Sequence, residues 1–215
     1  MGIDKQIEEL LVEGRAVIYS DGGGTKESVG AGACVLENVE NKRLGIVAFL
    51  GPATNNEAEL IAGLIGFSYL KAKKPDISEV IWVSDSEYTI LGATQYIQNW
   101  IKKGWKNSKR KPVANKSLWM TYLGLARGIT IWPGHVRGHT GHEQNEACDT
   151  ASTWAQRNAE DFLTGQMLQE VNIPGTSKDI DWWLLDGRNF ILALRGNDSP
   201  EKEQAFALVE LLKEL

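Results

Sequence analysis

Four acids stand where hard oxygen chemistry could be done: Asp21, Glu59, Asp85 and Asp149. Asp21 closes the apolar run AVIYS, and Asp85 follows VIWV and Ser84. If those two runs are parallel neighbouring strands, both carboxylates project from one sheet edge, where α/β proteins place their sites. Glu59 lies in TNNEAEL, near a helix start, and can point back over that edge from the first turn or so. Asp149 follows the histidine-bearing GHTGH and sits on a later helix. Clustered carboxylates repel one another and raise each other's pKa values, a penalty that divalent cations remove. Oxygen donors suit Mg²⁺ or Mn²⁺, and the lack of a Cys/His ligand pair argues against structural zinc. Two such ions roughly 4 Å apart can activate a water and stabilise the leaving oxygen of a phosphodiester, with no protein nucleophile. Singly, each residue has an ordinary explanation. A strand-end aspartate caps a turn, Glu59 complements a helix dipole, and His139 is a satisfied loop histidine. The combination, in this order, is what points to a site.

The elements that must position these acids can be read from periodicity. Ala16–Ser20, Gly30–Glu37 and Arg43–Leu50 read as three strands of an antiparallel meander. From Asn55 to about Lys73 apolar residues recur at three- and four-residue steps, predicting a helix. Val80–Val83 is a further buried strand. Helices are expected from Glu87 to the Tyr96–Trp100 region and over Lys116–Ala126, then a strand at Thr130–Trp132, a loop over His135–Gly141, and a helix from about Asn145. A mixed sheet with helices on its faces follows, an α/β class. The first fifteen residues read as a short amphipathic helix, and 159–179 as a connector. In 180–215, Trp182–Leu185 and Phe190–Leu194 around Asp186-Gly187 suggest a hairpin. A last helix follows, with Phe206, Val209 and Leu212 on one face.

The chain has 215 residues, 42% hydrophobic and 24% charged, with six prolines, enough to bury a core and unlike a disordered chain. Two cysteines, Cys34 and Cys148, give no disulfide framework. No apolar run reaches membrane-span length, and the start lacks the layout of a secretory signal. The expectation is a cytoplasmic protein with no membrane partner. Net charge is −5, yet IKKGWKNSKRKPVANKS, from Ile101 to Ser117, holds seven basic residues and no acid. Flanked by Trp100 and Trp119, this stretch can hold phosphates locally on an acidic protein.

These segments resemble the type 1 ribonuclease H family. The resemblance rests on YSDGG at Tyr19–Gly23, TNNEAEL at Thr54–Leu60, SDSEY at Ser84–Tyr88, and VRGHTGH with NEACD up to Asp149. TQYIQNWIKKGWKNSKRKPVANKSLW also resembles the bacterial family's helix and basic protrusion. The resemblance covers roughly Ala16 to Asn158. It implies a ribonuclease H-like mixed five-stranded sheet flanked by helices, here with a small C-terminal ββα appendage. It also implies an endonuclease that cuts the RNA strand of RNA–DNA hybrids with two Mg²⁺ ions, leaving 5′-phosphate and 3′-hydroxyl ends. By the same resemblance Asp21, Glu59, Asp85 and Asp149 are the metal-binding carboxylates, and His139 manages protons near the attacking water or assists product release. Thr54, Asn55 and Asn56 contact the backbone beside the site, with the asparagines meeting RNA. Tyr96, Trp100 and Trp119 shape the DNA channel; Asn99, Lys102, Lys103 and Lys106 meet the nucleic acid on the same side. Glu87 stands where many relatives carry glutamine, and the loop after Asp21 lacks the asparagine and cysteine that relatives often use to hold RNA.

Two other classes compete. A DNA-cutting two-metal nuclease of the same fold would usually lack the paired asparagines and the tryptophan–lysine stretch. A non-catalytic hybrid-binding module would not need all four acids. The tail is expected either to cover one face of the core or to dock a partner protein or the substrate, and the protein is expected to be a monomer.

Overall fold

Strand β1 (Ala16–Gly23) is apolar on both faces because both faces are covered. The computed structural model describes residues 15–24, 29–39, 42–136, 142–191, 203–213 and 215, with the backbone alone at 42 and 203–207. β1 pairs antiparallel with β2 (Val29–Val39), which pairs antiparallel with β3 (Lys42–Pro52), giving the expected meander. On its other side β1 runs parallel to β4 (Glu79–Ser84), and β4 runs parallel to β5 (Thr130–His135). The register sets Tyr19 beside Val83, and two residues further the same offset brings Asp21 beside Asp85. The parallel pairing that the carboxylate argument required is therefore present.

Helix α1 (Asn55–Lys73) crosses one face. Thr54 starts it with a capping box: its hydroxyl accepts from the Glu57 N–H, and the Glu57 carboxylate accepts from the Thr54 N–H. The helix lies so close to the sheet that a Cβ on Gly32 would come within 2.4 Å of the Ala58 carbonyl oxygen, and one on Gly22 within 2.5 Å of the Ala58 carbonyl carbon. Glycine at these strand positions sets the depth at which α1, and Glu59 with it, sits. Gly32→Ala should cost roughly 1–3 kcal/mol, since the clash is backbone against methyl and no side chain can swing aside. Urea melts of the two proteins check this, and superimposable curves would show that α1 does not bear on β2.

Helices α2 (Glu87–Leu91) and α3 (Ile97–Lys102) flank a π-helical turn at Gly92–Tyr96. Helix α4 (Lys116–Leu125) joins the α1 face, and α5 (Glu143–Phe162) covers the opposite face. Helix α5 begins at Glu143, two residues before the expected start.

The sheet has seven strands where five were expected, in the order β5-β4-β1-β2-β3-β7-β6. The extra two come from the tail. β7 (Ile180–Asp186) runs parallel to β3, and β6 (Leu168–Val171), within the expected connector, pairs antiparallel with β7. The expected hairpin around Asp186-Gly187 does not form. The Asp186 carboxylate accepts from the Arg188 N–H and guanidinium, and the Ile191 N–H reaches the Gly187 carbonyl. The Asp-Gly pair thus starts a helical turn over 188–191 instead of reversing a strand. Helix α6 (Glu203–Leu212) packs on α1, with Leu208, Val209 and Leu212 buried. Residues 1–14 of the expected N-terminal helix, 192–194 of the expected hairpin and the Phe206 side chain lie outside the described residues. Among those described, no helix is long and apolar enough to cross a membrane.

Candidate active site

Asp21, Glu59, Asp85 and Asp149 line one cleft of about 300 Å³, together with Gly22, Gly23, Asn55, Ser152, Thr153 and Gln156. Each acid arrives on a different element: the ends of β1 and β4, the second turn of α1, and the second turn of α5. Asp21 is almost fully buried, and its Oδ1 accepts the Gly22 N–H at 2.7 Å. Burial first, then the charge of Asp85, with smaller contributions from Asp149 and Glu59, pushes the Asp21 carboxyl up to about 7; the Gly22 N–H opposes the shift. Burial also raises Glu59, against the hydrogen bonds that stabilise its charge: Ser86 Oγ donates to Oε2 at 2.5 Å and Asn55 Nδ2 to Oε1 at 2.7 Å. Ser86 has a second task. Its hydroxyl accepts from the Thr89 N–H and caps α2, so one side chain fixes both the helix after Asp85 and the Glu59 carboxylate.

This is a pocket of negative charge short of cations, which fits a divalent ion. Among the described residues no three His, Cys, Asp or Glu side chains form a ready-made metal cage. An open carboxylate-walled cleft suits Mg²⁺, which keeps several waters and binds through a few carboxylates plus substrate phosphate oxygens.

The raised Asp21 pKa has a consequence for stability without metal. The folded state holds that proton up to about pH 7, whereas the unfolded chain releases it near 3.8. The stabilisation is therefore complete below about pH 4 and is lost as pH rises through 7. Asp21→Asn retains an acceptor for the Gly22 N–H and removes the titration. In the presence of a chelator it should stabilise the protein on the order of 3 kcal/mol at pH 8 and change little at pH 4. Urea melts across that range check it; parallel stability curves would show that Asp21 is not under this pressure.

The other predicted residues divide. Asn56, Glu87, Tyr96, Asn99, Lys102, Lys103 and Lys106 are exposed, and Trp100 is half-buried against Tyr96 at 5.9 Å between ring centroids. Thr54 is held by the α1 cap, and Asn55 by Glu59. Trp119 is not a channel residue. It is fully buried, its Nε1 donates to the Tyr88 hydroxyl at 2.9 Å, and its ring fills the space that the missing side chain of Gly92 leaves open. A tryptophan three residues from a lysine looks like an interface in sequence, but the α4 face carrying it turns inward. His139 lies outside the described residues. Sequence reasoning missed Ser86, Ser152, Thr153, Gln156 and His135, whose Nε2 is 3.1 Å from the Asp85 carbonyl oxygen. Thr153 and Gln156 were findable, since they stand four and seven residues after Asp149 on one helix face.

A family model for RNase H matches residues 13–157. The chain belongs to the RNase H family. This bears out the resemblance drawn from the motifs. The ribonuclease H of Geotalea uraniireducens is 42% identical over 99 residues, which are 46% of this chain and 65% of that enzyme. The ribonuclease H of Pelobacter propionicus is 36% identical over 141 residues, 64% of this chain and 82% of the relative. Among solved structures, LC9-RNase H1, a type 1 RNase H with the type 2 active-site motif, superposes with a TM-score of 0.58 at 22% identity, over 69% of this chain and 80% of that one. The PFV RNase H domain does so at 0.55 and 23%, over 66% and 94%. These two likenesses show the RNase H fold. The family match ends at residue 157, so β6, β7 and α6 lie beyond it.

Proposed function

We propose that this protein is an endonuclease hydrolysing the RNA strand of RNA–DNA hybrids with two bound Mg²⁺ ions, leaving 5′-phosphate and 3′-hydroxyl ends. The observation that carries the reading is the meeting of Asp21, Glu59, Asp85 and Asp149 in one cleft at the edge of the sheet. These four would hold the ions; Mn²⁺ fits the same donors. Bound there, the ions would supply an activated water and charge stabilisation for the leaving oxygen. The chain's own residues set the geometry around that chemistry. Ser86 and Asn55 orient Glu59, and the Gly22 N–H orients Asp21. His139 would accept or return a proton near the attacked phosphate. Asn55 and Asn56 would meet the RNA strand, with Thr54 beside them at the backbone. Glu87, Tyr96, Asn99 and Trp100 would bear on the nucleic acid along the DNA side, and Lys102, Lys103 and Lys106 on its phosphates.

Strand-labelled cleavage of matched RNA–DNA, DNA–DNA and RNA–RNA duplexes, with and without magnesium, tests the reading. Cutting of the RNA in the hybrid alone, and only with metal, is the expected result. Cutting of the DNA duplex would assign a DNA nuclease on the same fold, and binding without turnover a hybrid-binding module.

A further inference from the structure

Beyond the acids, the cleft has a polar wall built by α5. Gln156 stands seven residues after Asp149, so it returns to the same face of the helix roughly 10 Å along the axis. It is half-buried, and its amide takes no hydrogen-bond partner among the described residues. Gln156 Nε2 lies 2.8 Å from the point that a Cβ on Gly23 would occupy, and Asn55 Oδ1 lies 3.7 Å from the same point. Glycine at 23 therefore leaves a notch with an amide donor on one side and an amide acceptor on the other. The Asn55 orientation is set by its neighbour: Nδ2 donates to the Glu59 carboxylate, which leaves Oδ1 as the atom offered to the notch.

A hydroxyl is the group that both donates and accepts, so it can meet both amides at once. The 2′-hydroxyl separates a ribose strand from a deoxyribose strand, and C2′ of deoxyribose can answer neither atom. At about 3.4 Å of duplex rise per nucleotide, 10 Å from Asp149 falls about three nucleotides from the acids.

Resting on the hybrid-cleaving function above, we propose that Gln156 is a specificity-determining residue. With Asn55 it receives one 2′-hydroxyl of the RNA strand in the notch over Gly23, within about three nucleotides of the cut. Sites built to hydrogen-bond a hydroxyl discriminate against the substrate that lacks it, because their own polar atoms are then left unpaired. In a half-buried notch that discrimination is about tenfold.

The test is a ribose scan. Hybrids whose RNA strand carries a single 2′-deoxy sugar, walked across three nucleotides on each side of a defined cut, are cleaved by the unaltered protein, by Gln156→Leu and by Gly23→Ala. Gln156 takes no hydrogen-bond partner among the described residues, so the leucine should not disturb folding. The close contact of alanine at 23 is with the tip of Gln156, which can move, while Asn55 Oδ1 stays at ordinary contact distance, and the methyl fills the notch. The unaltered protein should lose about tenfold in kcat/KM at one sugar position. Both variants should show that loss on the all-ribose strand and be indifferent to the 2′-deoxy substitution at that position, the non-additivity expected of two groups in contact. Variants that keep the full kcat/KM, or that remain sensitive at every position as the parent is, overturn the assignment of Gln156 and leave the hybrid-cleaving function intact. Failure of the unaltered protein to cut any hybrid removes both.

Discussion

Asp85→Asn should lower magnesium-dependent cleavage of an RNA–DNA hybrid roughly a thousandfold while hybrid affinity stays within about threefold. Asp85 follows β4 directly beside Asp21, and the two carboxylates feel each other's charge. Asparagine preserves the size of the side chain and removes one negative charge from the cleft. On the proposed function, the bound cations would lose a ligand there, and several kcal/mol of transition-state stabilisation would go with it, each 1.36 kcal/mol being a factor of ten. On the same reading, affinity for the duplex would come chiefly from phosphate contacts elsewhere and should persist, or rise slightly as repulsion falls. Single-turnover rates and a binding isotherm on the same hybrid separate the two effects. A near-native rate would mean that the reaction takes place somewhere other than this cleft.

Removal of everything after residue 162 should abolish cooperative folding at 37 °C. The tail was expected to be either a cover or a docking unit, and its buried residues argue for a part of the core. Trp182 and Leu184 of β7 enter the face under α5, while Leu185, Leu208 and Leu212 enter the face shared with α1. Each such side chain contributes about 1.5–3 kcal/mol when fully buried. Their sum is comparable with the 5–15 kcal/mol total stability of an ordinary domain. Truncation would also bare the hydrogen-bonding edge of β3, where Arg43 to Phe49 pair with Ile180 to Asp186. Arg43 adds a polar tie, bridging Glu37, Glu143 and Asp179, and so joins the tail to the first turn of the helix that bears Asp149. A thermal melt of the shortened chain within a few degrees of the full one would show that the tail is dispensable to the core.

The strands and helices of the catalytic region were legible because their periodicities are unambiguous. A short apolar run such as AVIYS bounded by turn residues reads as a buried strand, and the Thr54–Glu57 pair marks the start of α1 without any tertiary information. The tail was misread for a local reason. Asp-Gly can begin a hairpin or cap a helical turn; the Asp186–Arg188 contact favours the turn, and the open edge of β3, which takes β7 as a parallel strand, lies far outside any local window. Trp119 was misplaced for a related reason, since a tryptophan beside lysines does not declare that its side of the helix, with Tyr122, turns onto the core that holds Phe67 and Trp82.

Sequence alone determined which atoms could do the chemistry: four carboxylates, each in a motif that constrains its own backbone. Whether those atoms meet depends on quantities that no single motif contains. The parallel register of β1 on β4 aligns Asp21 with Asp85. The depth of α1, set by Gly22 and Gly32, brings Glu59 to the same edge, and the lie of α5 across the far face delivers Asp149 with Gln156 behind it. Tertiary packing decided these matters because a side chain's direction follows its element, and an element's place follows whatever surface it must bury.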